Sequence, residues 1–517
     1  MRNRTNPPMG SWATHGMLIL LAGGMPSAPA VAAGVVGSGS PVSCTEAALD
    51  AALAGGGTVA FNCGGSVTIP ISAQKLIGAS TILETQNGTD QVTLECVNNN
   101  PLFKVSAGGV TFDIRDLTLT QCASASGGAV IQNQQVSSTV HVTRCRFLEN
   151  VAEVGGAISS TGILTVTASL FSQNYAMTTV MAGGAIYSSG DLAVQRSTFV
   201  ANGTLSNGAR GVDIAINGGT ATIWNSTFAG AQSVTGAAQG YAIAAENGAA
   251  VTLIHDTISA APLAADSTLY AAGNANILFR NSLVQSTSGA GQSCRFASGG
   301  AVTDQSGNLQ FGGSQSTSCG GTIPDEDPQL QPLGNNGGTT ATMALAVGSP
   351  AIDAAVAGNC LPWDQRVVTR PQGAACDSGA YEYQAQTPPL MGNVPDQTAT
   401  QGVPFSLDLG PYVTPTDGDQ VMGFAIGGSL PPGLGFSSSM IISGTPTVPG
   451  TYNLLLAPTD DDGTGGFDSV LFTVLPAAAP LAVPLVPPWA LALLSLSLGL
   501  AGLAAGRSKG TGLIDRG

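Results

Sequence analysis

Few residues in this chain could carry chemistry. The three histidines, His15, His141 and His255, are far apart in sequence, so they form no histidine metal cluster, and there is neither a phosphate-binding glycine loop nor a GxSxG nucleophile turn. His255 adjoins Asp256, the one neighbouring pair suited to moving a proton. Asp113 and Asp116 flank Arg115, an arrangement that is either a surface ion pair or, with a sugar bond held between the two acids, a glycosidase dyad. A further charged group, Asp353, Asp364, Arg366, Arg370 and Asp377, lies in a short stretch, and Asp417, Asp419, Asp460, Asp461 and Asp462 are oxygen ligands of the kind calcium takes.

The elements that would position these residues repeat. Phe147, Phe171 and Phe199 each have an asparagine three residues on, Asn150, Asn174 and Asn202, and GGAV or GGAI recurs at 127–130, 155–158 and 183–186. Aligned on the phenylalanine, the column reads Phe147, Phe171, Phe199, Phe228, Ile258 and Leu283, with Val142, Val166, Val194, Ile223, Leu253 and Leu278 five residues earlier. The glycine motif gives Val130, Ile158, Ile186, Ile214, Ile243 and Tyr270. Three aliphatic columns in segments too short and glycine-punctuated for helices predict one turn per repeat around a common axis.

Strand alternation places Cys145, Ser169, Ser197, Ser226, Asp256 and Asn281 inward as a small polar column, and the asparagines at the bends are expected to pair coil to coil at about 4.8 Å. Asp256 is then read as a satisfied buried acid. The column just before it, Arg144, Ala168, Arg196, Asn225, His255 and Arg280, is expected to face outward and contains no acid. Without paired carboxylates on adjacent coils, acid and base catalysis lacks its groups, so the prediction is no catalytic, cofactor-binding or metal residues.

With 43% hydrophobic residues recurring periodically, the chain is folded despite 70 glycines, and its formal charge of −15 disfavours nucleic acid as a partner. Nine cysteines suggest an oxidising compartment. The nearest pairings are Cys44 with Cys63, Cys294 with Cys319 and Cys360 with Cys376, leaving Cys96, Cys122 and Cys145, at least one of them free; connectivity stays open, as does a reading of buried reduced thiols. Residues 1–33 read as a signal peptide, and Thr45–Leu53 as a capped helix covering the first coil. Residues 385–393 form a linker, and 394–476 alternate like an all-β sandwich. An apolar run from Trp489 to Ala505, followed by Arg507 and Lys509, is just long enough for a membrane-spanning helix within 477–517.

Several stretches resemble known families. The paired GGAI and FxxN motifs over 110–284 are similar to polymorphic outer-membrane protein repeats, which implies a right-handed parallel β-helix for 110–326, preceded by a cap and first coils at 34–109. NNGGTT, GSPAID, DQR and GAYE within 327–384 resemble the choice-of-anchor Q domain, whose segment ends a β-helix; its charges are expected to form a salt-bridged cap closing the solenoid. LPPGL, SGTPTVPGTY and TDDDGTGG resemble bacterial Ig domains related to cadherin repeats. That likeness implies calcium at the aspartates, against the reading of acidic turn residues that are merely solvated. VPLVPPWAL resembles an IPTL-type C-terminal sorting signal, which implies a sorting peptidase as partner.

The expectation is an all-β, exported, envelope-anchored protein without enzymatic activity, serving adhesion or contact with an envelope or extracellular polysaccharide or protein and attached to the membrane through its C-terminal helix. The alternative is a polysaccharide lyase or glycoside hydrolase acting on the β-helix face, and a third reading is a passive spacer with no ligand.

Overall fold

The computed structural model describes residues 32–477, apart from 87–90, 98, 179, 207, 231, 234–240, 261–266, 287–291, 313–318, 385–388, 416–420, 422 and 461–462. The signal-peptide expectation up to residue 31, most of the sorting-signal expectation and the C-terminal helix expectation lie outside these residues; the last two signal-peptide positions begin the strand Ala32–Val36. Among the described residues no helix is long and apolar enough to cross a membrane.

Contacts divide the chain into two units, Met1–Ala385 and Gln386–Gly517. The first is a parallel β-solenoid. Among the described residues sheet 1 has eleven strands, sheet 2 ten and sheet 3 nine, with a five-stranded sheet 4 beside the middle coils, and the strand pairings in these four sheets are parallel. One coil shows the path: Thr139–Thr143 in sheet 1, Arg146–Leu148 in sheet 2, Val151–Val154 in sheet 4 and Ile158–Ser160 in sheet 3. The next coil starts at Ile163–Thr167, directly on Thr139–Thr143.

The interior columns explain the stacking. Phe147, Phe171, Phe199 and Phe228 lie ring on ring, with centroids 4.6, 4.8 and 4.7 Å apart and planes within 5°. The polar column bonds as a ladder in which each side-chain oxygen accepts the N–H of its counterpart one coil earlier: Ser169 from Cys145, Ser197 from Ser169, Ser226 from Ser197, and Asp256 from Ser226. A second ladder runs from Asn150 to Asn174 to Asn202, each Nδ2 donating to the next Oδ1 at 2.8 and 2.9 Å. Burial makes these bonds obligatory, since an unpaired polar group there would keep its full desolvation cost.

Glycine is required where the chain bends into sheet 3. Gly183 sits at φ +60°, and a Cβ on Gly184 would lie 2.0 Å from the Val212 carbonyl oxygen.

The register differs from the sequence expectation at the ends of the columns. Ile131, not Val130, stacks on Ile158; Leu269, not Tyr270, stacks on Ile243. In the last coils Ile258 pairs with Val284 instead of Leu283, and Leu253 with Phe279 instead of Leu278, so Ser282 replaces Asn281 in the polar ladder. At each of these places two apolar residues are adjacent, and period alone cannot choose between them.

The helix Glu46–Leu53 forms as expected, with the Thr45 hydroxyl accepting the Ala48 N–H at 3.2 Å and Leu49 fully buried. Four disulfides join Cys44–Cys63, Cys96–Cys122, Cys294–Cys319 and Cys360–Cys376; Cys145 is free and buried, its thiol pushed up to about 12 by desolvation.

The second unit is an Ig-like β-structure. A five-stranded sheet includes Gly450–Asp460 and Asp468–Leu475, and a three-stranded sheet contains Ile441–Gly444. Its core gathers Val394, Leu409, Ile442, Leu454, Leu456, Val470 and Phe472.

Candidate functional site: a strapped corner and its cleft

The corner between sheets 1 and 2 is built from left-handed residues. Asp116, Arg144, Ala168, Arg196, Asn225, His255 and Asn281 all have φ between 48° and 58°, so each coil turns sharply and presents one side chain on the edge of the stack. This column was expected to be outward throughout, with Arg280 in the last place. Four of the seven are buried instead: Ala168 is 6% exposed, Asn225 5%, and His255 and Asn281 0%.

The cover is the segment 327–384, which lies along the flank of the solenoid as a strap and does not close its end. Thr340 Oγ1 donates to the Arg196 carbonyl at 2.9 Å, Asn225 Nδ2 to the Trp363 carbonyl at 2.8 Å, and Ala380 N to Thr257 Oγ1 at 2.9 Å. Gln365 is the central contact. Its Oε1 accepts from Thr227 Oγ1 at 2.6 Å, and its Nε2 donates to Thr198 Oγ1 and Thr340 Oγ1, both at 2.9 Å. Threonines that strand alternation turns outward are thereby buried.

One salt bridge forms within the expected set, Arg366 with Asp364, and Arg370 takes an acid outside it. Arg366 Nε meets Asp364 Oδ2 at 2.8 Å, and its guanidinium lies 3.7 Å over the Tyr381 ring. Arg370 Nη1 meets Glu382 Oε2 at 2.6 Å with both side chains fully buried, and Arg370 also donates to the Asp377 and Gly379 carbonyls. Glu382 was missed among the charged residues of the sequence, although it stands in the GAYE stretch; Gln365 was passed over because it is uncharged. Burial raises Asp377 to about 7 and also raises Glu382, while it lowers Arg370. Asp353 serves the strap backbone, its Oδ1 accepting from Ala375 N.

His255 and Asp256 do not make a catalytic pair. His255 Nδ1 meets the Asp377 carbonyl and Nε2 the Asn281 amide nitrogen, each at 3.1 Å, which suits a neutral ring protonated at Nδ1. Burial, reinforced by the Arg370 charge, holds it well below the usual histidine range. Asp256 points the other way, into the ladder, where it accepts from Ser226 N and Ile254 N at 2.9 and 3.1 Å, and desolvation raises it well above the carboxylate range.

The uncovered end of the corner opens into a cleft of about 460 Å³, roofed by Asn335 and Gly338–Ala341 of the strap and floored by Cys145, Ala168 and Leu170. Asp116, Arg144 and Arg146 line it. Asp116 is gripped by Arg144 through Nε and Nη2 at 2.6 and 2.7 Å. Asp113 bonds Arg115, which also reaches Glu84 at 3.1 Å. Of the two readings of these acids, the ion pair holds and the dyad does not: Asp113 and Asp116 sit in separate ion pairs, Asp116 with Arg144 instead of Arg115. Glycoside hydrolysis needs two carboxyl groups on either side of the bond, and this lining supplies one, already paired.

Of the aspartates considered for calcium, Asp417, Asp419, Asp461 and Asp462 lie outside the described residues, and Asp460 is buried. Among the described residues no three acidic, histidine or cysteine side chains are grouped to hold a metal.

Residues 388–475 match the Putative Ig domain family, He_PIG. Among solved structures the chain is similar to two proteins of Bacteroides fragilis NCTC 9343, a putative alpha-galactosidase at 24% identity and a putative alpha-galactosidase/melibiase at 22%. Each likeness covers 17% of this chain and 18% of that one, with a TM-score of 0.15. The PKD domain from the KIAA 1837 protein is similar at 20% identity over 20% of this chain and 97% of that one, also at 0.15. The curated proteins contain no match to this chain.

Proposed function

We propose that this chain is an exported cell-envelope protein whose β-solenoid works by binding and spacing, not by catalysis, with the Ig-like domain as a spacer toward the membrane. The observation that carries the reading is the state of the solenoid's conspicuous acids. Asp113, Asp116, Asp364 and Glu382 are held in ion pairs, and Asp256 belongs to the interior ladder. None is left poised as a general acid or base over the cleft.

Export is supported by the four disulfides, which persist in oxidising compartments. The finer reading follows from the resemblances: a right-handed helix with polymorphic outer-membrane-type repeats, a choice-of-anchor Q strap at 327–384, and a C-terminal sorting signal with a membrane anchor. The partner is an envelope or extracellular polysaccharide or protein.

To test this, the full chain is immobilised and challenged with a panel of bacterial and plant polysaccharides, recording both retention and new reducing or unsaturated ends. Retention without new ends is expected. New ends that scale with protein concentration would replace this reading with a carbohydrate-active enzyme.

A further inference from the structure

We propose that the cleft under the strap is a binding site for an acidic sugar residue carried on an otherwise sparsely charged glycan. The proposal deepens the reading of the chain as a binding protein and rests on it.

The charge of the cleft is opposite to that of the chain. Its lining holds one carboxylate, Asp116, against two guanidinium groups, Arg144 and Arg146, in a protein of net charge −15. A second cleft carries Asp304 and Glu326 with no cation, and a third sets Lys75 beside Asp50.

The Arg146 side chain is exposed and has no ion-pair or hydrogen-bond partner among the described residues. Arg144 binds Asp116 through Nε and Nη2, which leaves Nη1 with donors to offer. Across the cleft Asn335 uses only its Oδ1, accepting the Gly337 N–H, so its amide nitrogen is free to donate; the exposed Thr339 adds a hydroxyl. A fork-shaped guanidinium with amide and hydroxyl donors opposite recognises a carboxylate that also bears hydroxyls.

The floor favours a sugar over an extended peptide. Leu170 and Ala341, both partly exposed, offer a small apolar surface for a ring face above the buried Ala168, and the volume suits one or two rings. The position of the site explains why it stays open. Farther along the corner the strap is fastened by Thr340, Gln365 and Ala380, whereas at Ala168 the edge column carries only a methyl group between Arg144 and Arg196. The net charge selects the ligand too: a dense polyanion is repelled by the rest of the surface, so the acid must be isolated on a neutral chain or at a chain end.

Titration calorimetry of the full chain with a single-acid trisaccharide, galactotriose oxidised to galacturonate at its non-reducing end, is the test, with unmodified galactotriose, heparin and a tetraglutamate peptide as comparators. Binding of the single-acid trisaccharide is expected, with neutral galactotriose much weaker. Arg146→Ala should weaken it about tenfold or more, the size of one lost charge-assisted hydrogen bond, and Arg146→Lys should fall between. An unchanged thermal midpoint keeps a lost fold from mimicking a lost site. Absence of binding by the single-acid trisaccharide, or equal affinity in Arg146→Ala, would overturn the site. Equal or tighter binding of heparin or tetraglutamate would overturn the sugar assignment. Retention of some other polysaccharide in the panel, with no effect of Arg146→Ala, would remove this site while leaving the binding function standing.

Discussion

Replacing Arg370 by methionine probes how the strap is fastened. The substitution keeps most of the side-chain volume but removes the partner of a fully buried Glu382 and two further donors, those to the Asp377 and Gly379 carbonyls. Glu382 keeps the N–H groups of Gln372 and Asp377 but loses its counter-charge. Breaking a buried ion pair from one side costs about 3–5 kcal/mol, because the remaining charge is left uncompensated. The loss falls on the strap first, since the solenoid beneath has its own ladders. Hydrogen exchange should show it: the amides of Gln365 and Ala380, bonded to the Ala380 carbonyl and Thr257 Oγ1, should exchange about a hundred- to several-thousandfold faster. Adding Glu382→Gln should recover part of the loss, because an amide needs no counter-charge. Unchanged exchange in Arg370→Met, or a double variant worse than the single by the sum of the separate effects, would refute this account of the strap.

Other expectations follow from the interior. Burial raises Asp213 from 3.8 to about 7; its Oδ1 accepts from Asn202 Nδ2 while its Oδ2 is unpaired. The native state therefore holds a proton that the unfolded chain releases. The associated stability is complete below about pH 4 and is lost as pH rises to about 7, roughly three pH units at about 1.4 kcal/mol each, or about 4 kcal/mol. In denaturant titrations Asp213→Asn should flatten this slope and exceed the wild type at pH 8; an unaltered slope would assign it elsewhere. Phe171→Ala, which opens the ring stack on both sides, should cost about 3–5 kcal/mol in the same assay. Gly184→Ala should destabilise by about 1–3 kcal/mol, because its Cβ meets the Val212 carbonyl; neutrality would mean that the bend relaxes freely. Deleting residues 484–517 should move the protein from the membrane to the soluble fraction, and unchanged fractionation would count against the anchor.

The parts of the fold legible in the sequence are those that repeat. Phe171 and Phe199, and Asn174 and Asn202, announce themselves because every coil solves the same packing problem with the same residue, and both ladders formed as the periodicity predicts. The register at Ile131 and Val284 was ambiguous because each has an apolar neighbour of similar size. The strap was misplaced for a different reason. Its docking joins residues more than a hundred positions apart, such as Thr227 with Gln365, and such contacts leave no period to count. A local sign did exist: Thr198, Thr227 and Thr257 stand in line on an outward column, where a row of small hydroxyl groups suits a covering segment. Asp213 was legible only in part. It occupies the alanine position of the GGAI motif and completes the asparagine ladder by accepting from Asn202, a substitution that makes sense once the two columns are seen to meet.

The claim that the solenoid binds without chemistry is tested most directly by recovering the saccharide. After prolonged incubation of the full chain with a retained polysaccharide, mass spectrometry of the eluted material should show its original length and end groups at every protein concentration. Shortened chains, or ends carrying a new double bond, that increase with protein and persist after repurification would contradict it.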